Sequence, residues 1–309
     1  MIYTITLNPA IDYFITLNNE LLVDEVNRGS NEIYKAGGKG LNVSKILSVL
    51  EIPSKAIAVL GGFTGKFIQD AFDKDPLIDV IPIPVEGINR INMKANYGKQ
   101  ALCINGNGPV VSEETINTIL EEINKINKDD IVVISGSMMH GFPSDFIVTL
   151  SEAIQERNAK VVIDMEQISM EQLKACKPFL IKPNLYEFQL LFKDETINAF
   201  NIDQYLVKLN ELGIENILVS LGKEGAILSN TKGIFKLDQP HTTLVNKVGA
   251  GDSMLAAFIG KLSQGSCYEE ALQYGGAAGN AAASQLEDIT LSDIEEYLQL
   301  MKVLKKDSI

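Results

Sequence analysis

VGAGDSMLAAFIG, residues 248–260, is a run of small residues that turns into an apolar helix. Gly249, Ala250 and Gly251 let consecutive backbone N–H groups form an anion-binding nest, and the helix at 253–262 adds its positive N-terminal end. Asp252 falls in the first turn, where any helix start favours a carboxylate. Beside an anion nest it has a second reading. It accepts a proton from a hydroxyl that attacks a phosphoryl group, while the nest stabilises transition-state charge. Ligands of open α/β sheets sit at the carboxyl ends of the strands, and the rest of the chain suits that frame.

Working outward, short apolar, β-branched runs at 2–7, 56–60, 131–135, 160–164, 179–181 and 216–220 read as strands buried on both faces of a parallel sheet. Helix-periodic segments lie between them at 41–50, 64–72, 113–126, 144–157, 185–192 and 204–212, and the C-terminal part reads as helices at 251–262, 268–285 and 291–302. This is a doubly wound α/β/α sandwich. No linker divides it, so residues 1–309 read as one domain. Two regions break the rhythm: strands at about 11–17 and 31–35, and at about 88–95 and 100–104, stand where crossover helices are expected. They predict a small inserted β-sheet that covers the site as a lid.

Composition narrows the function. With 46% hydrophobic and 22% charged residues, the chain has material for a sizeable core. No apolar run approaches the ~18 residues of a membrane span, and the start lacks the basic region of a secretory signal. A net charge of −13 disfavours nucleic acid and anionic membranes as partners. Cys103, Cys176 and Cys267 are scattered and odd in number, which suits a reducing cytoplasm. His140 and His241 are the two histidines, too few for a His-based metal site or triad. Among 27 basic residues only Arg28, Arg90 and Arg157 are arginine. Arg157 closes a helix, where the dipole accounts for it. Arg28 and Arg90 have no such explanation and are candidate anion ligands, since the guanidinium fork grips phosphate in a way that lysine does not.

Other motifs lie at strand ends. In AGGKGLNVS (36–44), Gly37, Gly38 and Gly40 permit close approach to an anion or sugar, Lys39 supplies charge and Asn42 a hydroxyl partner; a tight strand-to-helix turn accounts for the glycines as well. GGFTGKF (61–67) is not a P-loop: its spacing is too short, and Phe67 stands where Ser or Thr must hold magnesium. In KPNLYE (182–187), Asn184 and Glu187 share a helix face and suit Mg²⁺ through water, although a capping box explains the same pair. SLGKEG (220–225) reads either as a backbone approach to a nucleotide or as a hairpin loop. Asn8, Asp12 and Ser137 are polar groups at or near apolar strand ends.

In combination, GGKGLNVS, KPNLYE and VGAGDSMLAAFIG resemble the signatures of the ribokinase-like (PfkB) sugar kinases, in order and over nearly the whole chain. Within that family, MIYTITLNPAIDYF, GGFTGKFI, NRINMK and INGNGP are similar to members that act on phosphorylated ketohexoses. The resemblance implies ATP and Mg²⁺, with ATP phosphates over Gly249, Ala250 and Gly251, and Lys182, Asn184, Ser220, Leu221, Gly222 and Gly225 near the nucleotide. It implies Mg²⁺ at Asn184 and Glu187 through water, and Asp252 as general base. Asp12, Arg28, Gly37, Gly38, Lys39, Asn42, Arg90 and Ser137 would hold the acceptor. Fructose 1-phosphate is the expected acceptor, with tagatose 6-phosphate or fructose 6-phosphate as alternatives, and a homodimer through the lid is expected. Lys247, where relatives carry Ser, Thr or Pro, and Met138-Met139-His140 depart from the pattern. A nicotinamide enzyme would carry G-x-G-x-x-G after the first strand, where NPAIDYF stands.

Overall fold

The structure, a computed structural model, describes residues 1–98, 100–240, 244–245, 249–285 and 287–306. The expected runs form parallel strands: β1 (Ile2–Thr6), β4 (Ser54–Leu60), β8 (Ile131–Gly136), β9 (Lys160–Met165), β10 (Leu180–Ile181) and β11 (Asn216–Ser220). Alternate residues of these strands serve opposite faces, and both faces are apolar. Tyr3, Ile5, Val132 and Ile134 enter one core cluster, whereas Ile2, Ile131 and Val133 enter another. A strand apolar at every position is stable only with a helical layer on each side, hence the sandwich.

Among the described residues the main sheet has ten strands, in the order β14-β13-β12-β11-β10-β9-β8-β1-β4-β5. Four of them escaped the sequence reading. β5 (Ile78–Pro84) carries Pro82 and Pro84, and it is tolerated because it is the sheet edge. β12 (Ala226–Asn230), β13 (Gly233–Asp238) and β14 (Lys302–Lys305) run antiparallel at the opposite side. The last helix, expected to reach 302, is α10 (Leu291–Leu298), and the chain then pairs with β13 instead.

β2 (Ala10–Leu17), β3 (Gly29–Gly37), β6 (Arg90–Tyr97) and β7 (Gln100–Ile104) form the expected separate sheet, in the order β3-β2-β6-β7. One lid hairpin grows from the end of β1 and the other follows β5, so both are rooted at the carboxyl edge of the main sheet. Chain order reverses between β1 and β8, which opens a crevice beside their ends. α1 (Lys39–Val49) and α8 (Ala250–Ser263) direct their N-termini to this edge and pack on each other. Small residues allow that approach: a Cβ on Gly260 would lie 2.8 Å from Ile52 Cδ1.

Candidate active site

Asp252 is 7% exposed in the first turn of α8, after Gly249, which caps the helix in the left-handed region at φ 84°. Its Oδ2 accepts a 2.8 Å hydrogen bond from Nδ2 of Asn42 in α1. Burial raises its pKa to about 6, and the charge of Asp164 pushes the same way; the Asn42 bond, Lys182 and Lys39 pull back. A buried carboxyl titrating near neutral pH can take a proton from a hydroxyl.

Two lysines flank it. Lys182, 4% exposed, places Nζ 3.4 Å from Asp164 Oδ2, and Lys39 places Nζ 3.6 Å from Asp164 Oδ1 and 3.9 Å from Glu187 Oε1. Burial lowers the Lys39 pKa, but Asp164, Glu187, Asp252 and Glu166 outweigh it, so the net shift is upward. Both Asp164 oxygens are buried without a hydrogen-bond partner. Gly251 makes room for Lys182, since a Cβ there would lie 3.1 Å from Nζ. The network thus joins α1, β9, the end of β10 and α8.

Asn184 and Glu187 realise the capping box of α6 (Leu185–Phe192): the Asn184 amide donates to Glu187 Oε2 at 2.8 Å, and the Glu187 amide donates to Asn184 Oδ1 at 2.9 Å. Glu187 Oε1 remains turned toward Lys39, and burial raises the Glu187 pKa. Among the described residues no group of three or more His, Cys, Asp or Glu side chains is placed to hold a metal. Mg²⁺ does not require one, because it keeps several waters and is shared with phosphate oxygens. Glu187 Oε1 and the unbonded oxygens of Asp164 fit such a water-mediated site; Asn184 Oδ1 is already engaged by the cap.

Across the crevice, Arg90 is half-buried at the root of β6. It donates from Nη2 to the Asn8 carbonyl at 3.1 Å, and its Nε is buried without a partner. Burial lowers its pKa against the pull of Glu166 and Asp12. Asn8 Nδ2 lies 3.4 Å from Ser137 Oγ, which brings Ser137 to the same edge. Asp12, Gly37, Asn42 and Gly249 line one cavity of about 300 Å³. A second cavity, of about 540 Å³, opens beside Asp164, Glu166, Lys182 and Glu187.

Two expectations change. Arg28 does not join the others: it is exposed at the outer end of the lid hairpin, just before β3 and nine residues or roughly 30 Å from Gly37. Lys39 sits among the acids rather than beside Arg90: the first turn of α1 meets the end of β8, where a Cβ on Gly136 would lie 3.8 Å from Lys39 Cβ, and its ammonium reaches Asp164 of β9. In AGGKG, Gly38 and Gly40 also let the chain pass close to the end of β1, since Cβ atoms there would meet Thr6 at 2.6 and 2.5 Å. Ser220, Leu221, Gly222 and Gly225 form the hairpin that turns β11 into β12, at the same sheet edge, with Gln239 Nε2 donating to the Gly222 carbonyl at 2.9 Å. Lys247 and His241 lie outside the described residues.

Sequence reading passed over Asp164, Glu166, Asn92 and Lys94. A carboxylate closing the apolar run VVID (161–164) was the available signal for the first. Alternation of Arg90, Asn92 and Lys94 along one strand face was the signal for the last two.

The chain belongs to the pfkB family of carbohydrate kinases, whose model matches residues 5–295. It is a phosphotransferase enzyme, and kinase membership implies ATP as donor. It is 35% identical over 305 residues to a 1-phosphofructokinase of Bacillus subtilis, covering 99% of this chain and 100% of the relative. It is also 35% identical to a D-tagatose-1-phosphate kinase of Bacillus licheniformis, covering 92% of each. Phosphofructokinase-2 from Escherichia coli, solved in complex with fructose-6-phosphate, superposes with a TM-score of 0.87 at 25% identity, over 96% of this chain and 98% of that one. Among the described residues no helix is long and apolar enough to cross a membrane.

Proposed function

We propose that this chain phosphorylates the 6-hydroxyl of a ketohexose 1-phosphate, fructose 1-phosphate giving fructose 1,6-bisphosphate, at the expense of ATP. The observation that carries the acceptor class is Arg90: a half-buried guanidinium with an unpartnered Nε, across the crevice from Asp252, is costly unless an anion meets it. Asp12, Asn42 and Ser137 then hold the sugar hydroxyls. Asp252 takes the proton as O6 attacks the γ-phosphorus; the O6–P bond forms, the bond to the bridging β,γ-oxygen breaks, and ADP leaves. Lys182, Lys39 and the amides after Gly249 face the phosphates, and the Ser220–Gly225 turn faces the nucleotide. Asp164 and Glu187 would hold Mg²⁺, which would neutralise phosphate charge when bound. The lid excludes water.

The names of two relatives favour C1 as the phosphate position over the 6-phosphates. Tagatose 1-phosphate, the C4 epimer, is therefore the second reading. Pairing of two lids would cover exposed Ile33, Tyr34 and Ile104 in a homodimer, and a cytoplasmic setting supplies both ATP and sugar phosphates. The test is ATP turnover with Mg²⁺ against fructose 1-phosphate, tagatose 1-phosphate, fructose 6-phosphate, tagatose 6-phosphate and fructose. A kcat/KM led about tenfold by fructose 1-phosphate is expected. A lead for the bare sugar would overturn the role of Arg90.

A further inference from the structure

The side of the lid sheet turned to the crevice carries a polar ladder of which the acceptor roles above use only Asp12. β2 and β6 run parallel, with Asp12 opposite Asn92 and Phe14 opposite Lys94. Asp12 Oδ1 accepts a hydrogen bond from Asn92 Nδ2 at 3.1 Å and is ion-paired with Lys94 Nζ at 3.0 Å. Only 17% of the Asp12 side chain and 16% of the Lys94 side chain are exposed. The Lys94 stem is fixed in turn, with its ammonium 5.0 Å from the centre of the Phe14 ring. Gly37 leaves room for the carboxylate, since a Cβ there would lie 3.2 Å from Asp12 Oδ2.

One oxygen of Asp12 is thus held by the Asn92 hydrogen bond and the Lys94 ion pair, and Asp12 lines the cavity that Asn42 and Gly249 also line. A carboxylate in a single orientation discriminates between hydroxyl configurations; one free to rotate does not. We propose that Lys94 is a positioning residue for Asp12, and that through it Lys94 sets the enzyme's selectivity between sugar phosphates that differ in the configuration of one ring hydroxyl. The ion pair contributes a fixed hydrogen-bond acceptor rather than a contact with the reacting atoms. This rests on the proposed ketohexose phosphate reading.

The experiment compares wild type, Lys94→Met, Lys94→Arg, Asp12→Asn and the Lys94→Met/Asp12→Asn double variant in the full chain. Each is assayed with ATP and Mg²⁺ against fructose 1-phosphate and tagatose 1-phosphate. Lys94→Met is expected to raise the KM of the preferred epimer about tenfold, as loss of a charge-assisted bond does. It should also bring the kcat/KM ratio of the two epimers toward one, and leave the KM for ATP within about twofold. Lys94→Arg restores most of the ratio, and Lys94→Met adds little on the Asp12→Asn background. An acceptor KM and epimer ratio within about twofold of wild type in Lys94→Met overturn the proposal. So does an equal loss in Lys94→Arg with a parallel loss of ATP affinity, which would mark a merely structural lysine. Failure of the underlying reading is separate: wild type would then use neither 1-phosphate, and the variants are compared on the panel sugar phosphate and its epimer that it does use.

Discussion

Asn42 donates from Nδ2 to Oδ2 of Asp252 at 2.8 Å, joining the first turns of α1 and α8 across 210 residues of sequence. The bond stabilises the ionised carboxylate against burial. Asn42→Ala removes it, so the acid limb of the kcat/KM profile moves to higher pH and activity at neutral pH falls about tenfold. A pH–rate profile identical to wild type would show that the bond does not tune the base.

Asp252→Asn should lower kcat by orders of magnitude while ATP still binds. Wild-type kcat/KM should fall as pH drops below about 6, where the base becomes protonated. Stability runs the opposite way. The folded-state pKa lies above the unfolded one, so the folded protein binds more protons in that window, and wild type loses stability as pH rises from the ordinary carboxylate range through about 6. Asp252→Asn escapes that loss. Its melting temperature, measured from pH 4 to 8, should gain on wild type with increasing pH; a constant difference would contradict the burial argument.

Arg90→Ala should raise the acceptor KM at least about tenfold and leave the KM for ATP unchanged, because a charge-assisted contact to phosphate is lost. Weak turnover of unphosphorylated fructose, if measurable, should not change. An unaltered acceptor KM would remove Arg90 from the phosphate site.

Glu187→Gln separates cap from metal. Gln serves the capping box as well as Glu, so the melting temperature should hold, while loss of the charge on Oε1 raises the Mg²⁺ concentration needed for half-maximal rate several-fold. An unchanged Mg²⁺ titration would leave Glu187 with the cap alone.

The two glycines of the β11–β12 turn should behave differently. A Cβ on Gly225, at φ 89°, would lie 2.0 Å from the Leu237 carbonyl oxygen, whereas one on Gly222, at φ 59°, meets nothing within 4 Å. Gly225→Ala should therefore cost more than the ~1–2 kcal/mol of left-handed strain and show a clear fall in melting temperature. Gly222→Ala should stay near that strain alone and act mainly on the KM for ATP. Equal melting temperatures would refute the assignment.

The sequence alone carried the layered α/β architecture, because runs such as IVVI (131–134) are apolar at every position and leave both faces to be covered. It also carried the inserted sheet, through strand patterns where helices were due, and the helix start before Asp252, through its small residues. These are local signals, written in periodicity and residue size. What it could not carry was partnership. The Asn184–Glu187 pair has one spacing whether it caps a helix or faces a metal; the tertiary structure divides Glu187, with Oε2 on the cap and Oε1 toward Lys39. Arg28 and Arg90 looked alike as sparse arginines, and the length of β3 carried one to the outer end of the lid while the root of β6 held the other in the crevice. Asp164 and Lys94 were ordinary strand residues until β9 met Lys182 and β6 met Asp12. Ion pairs between strands distant in sequence depend on register and on which strands become neighbours, and only the folded sheet decides that.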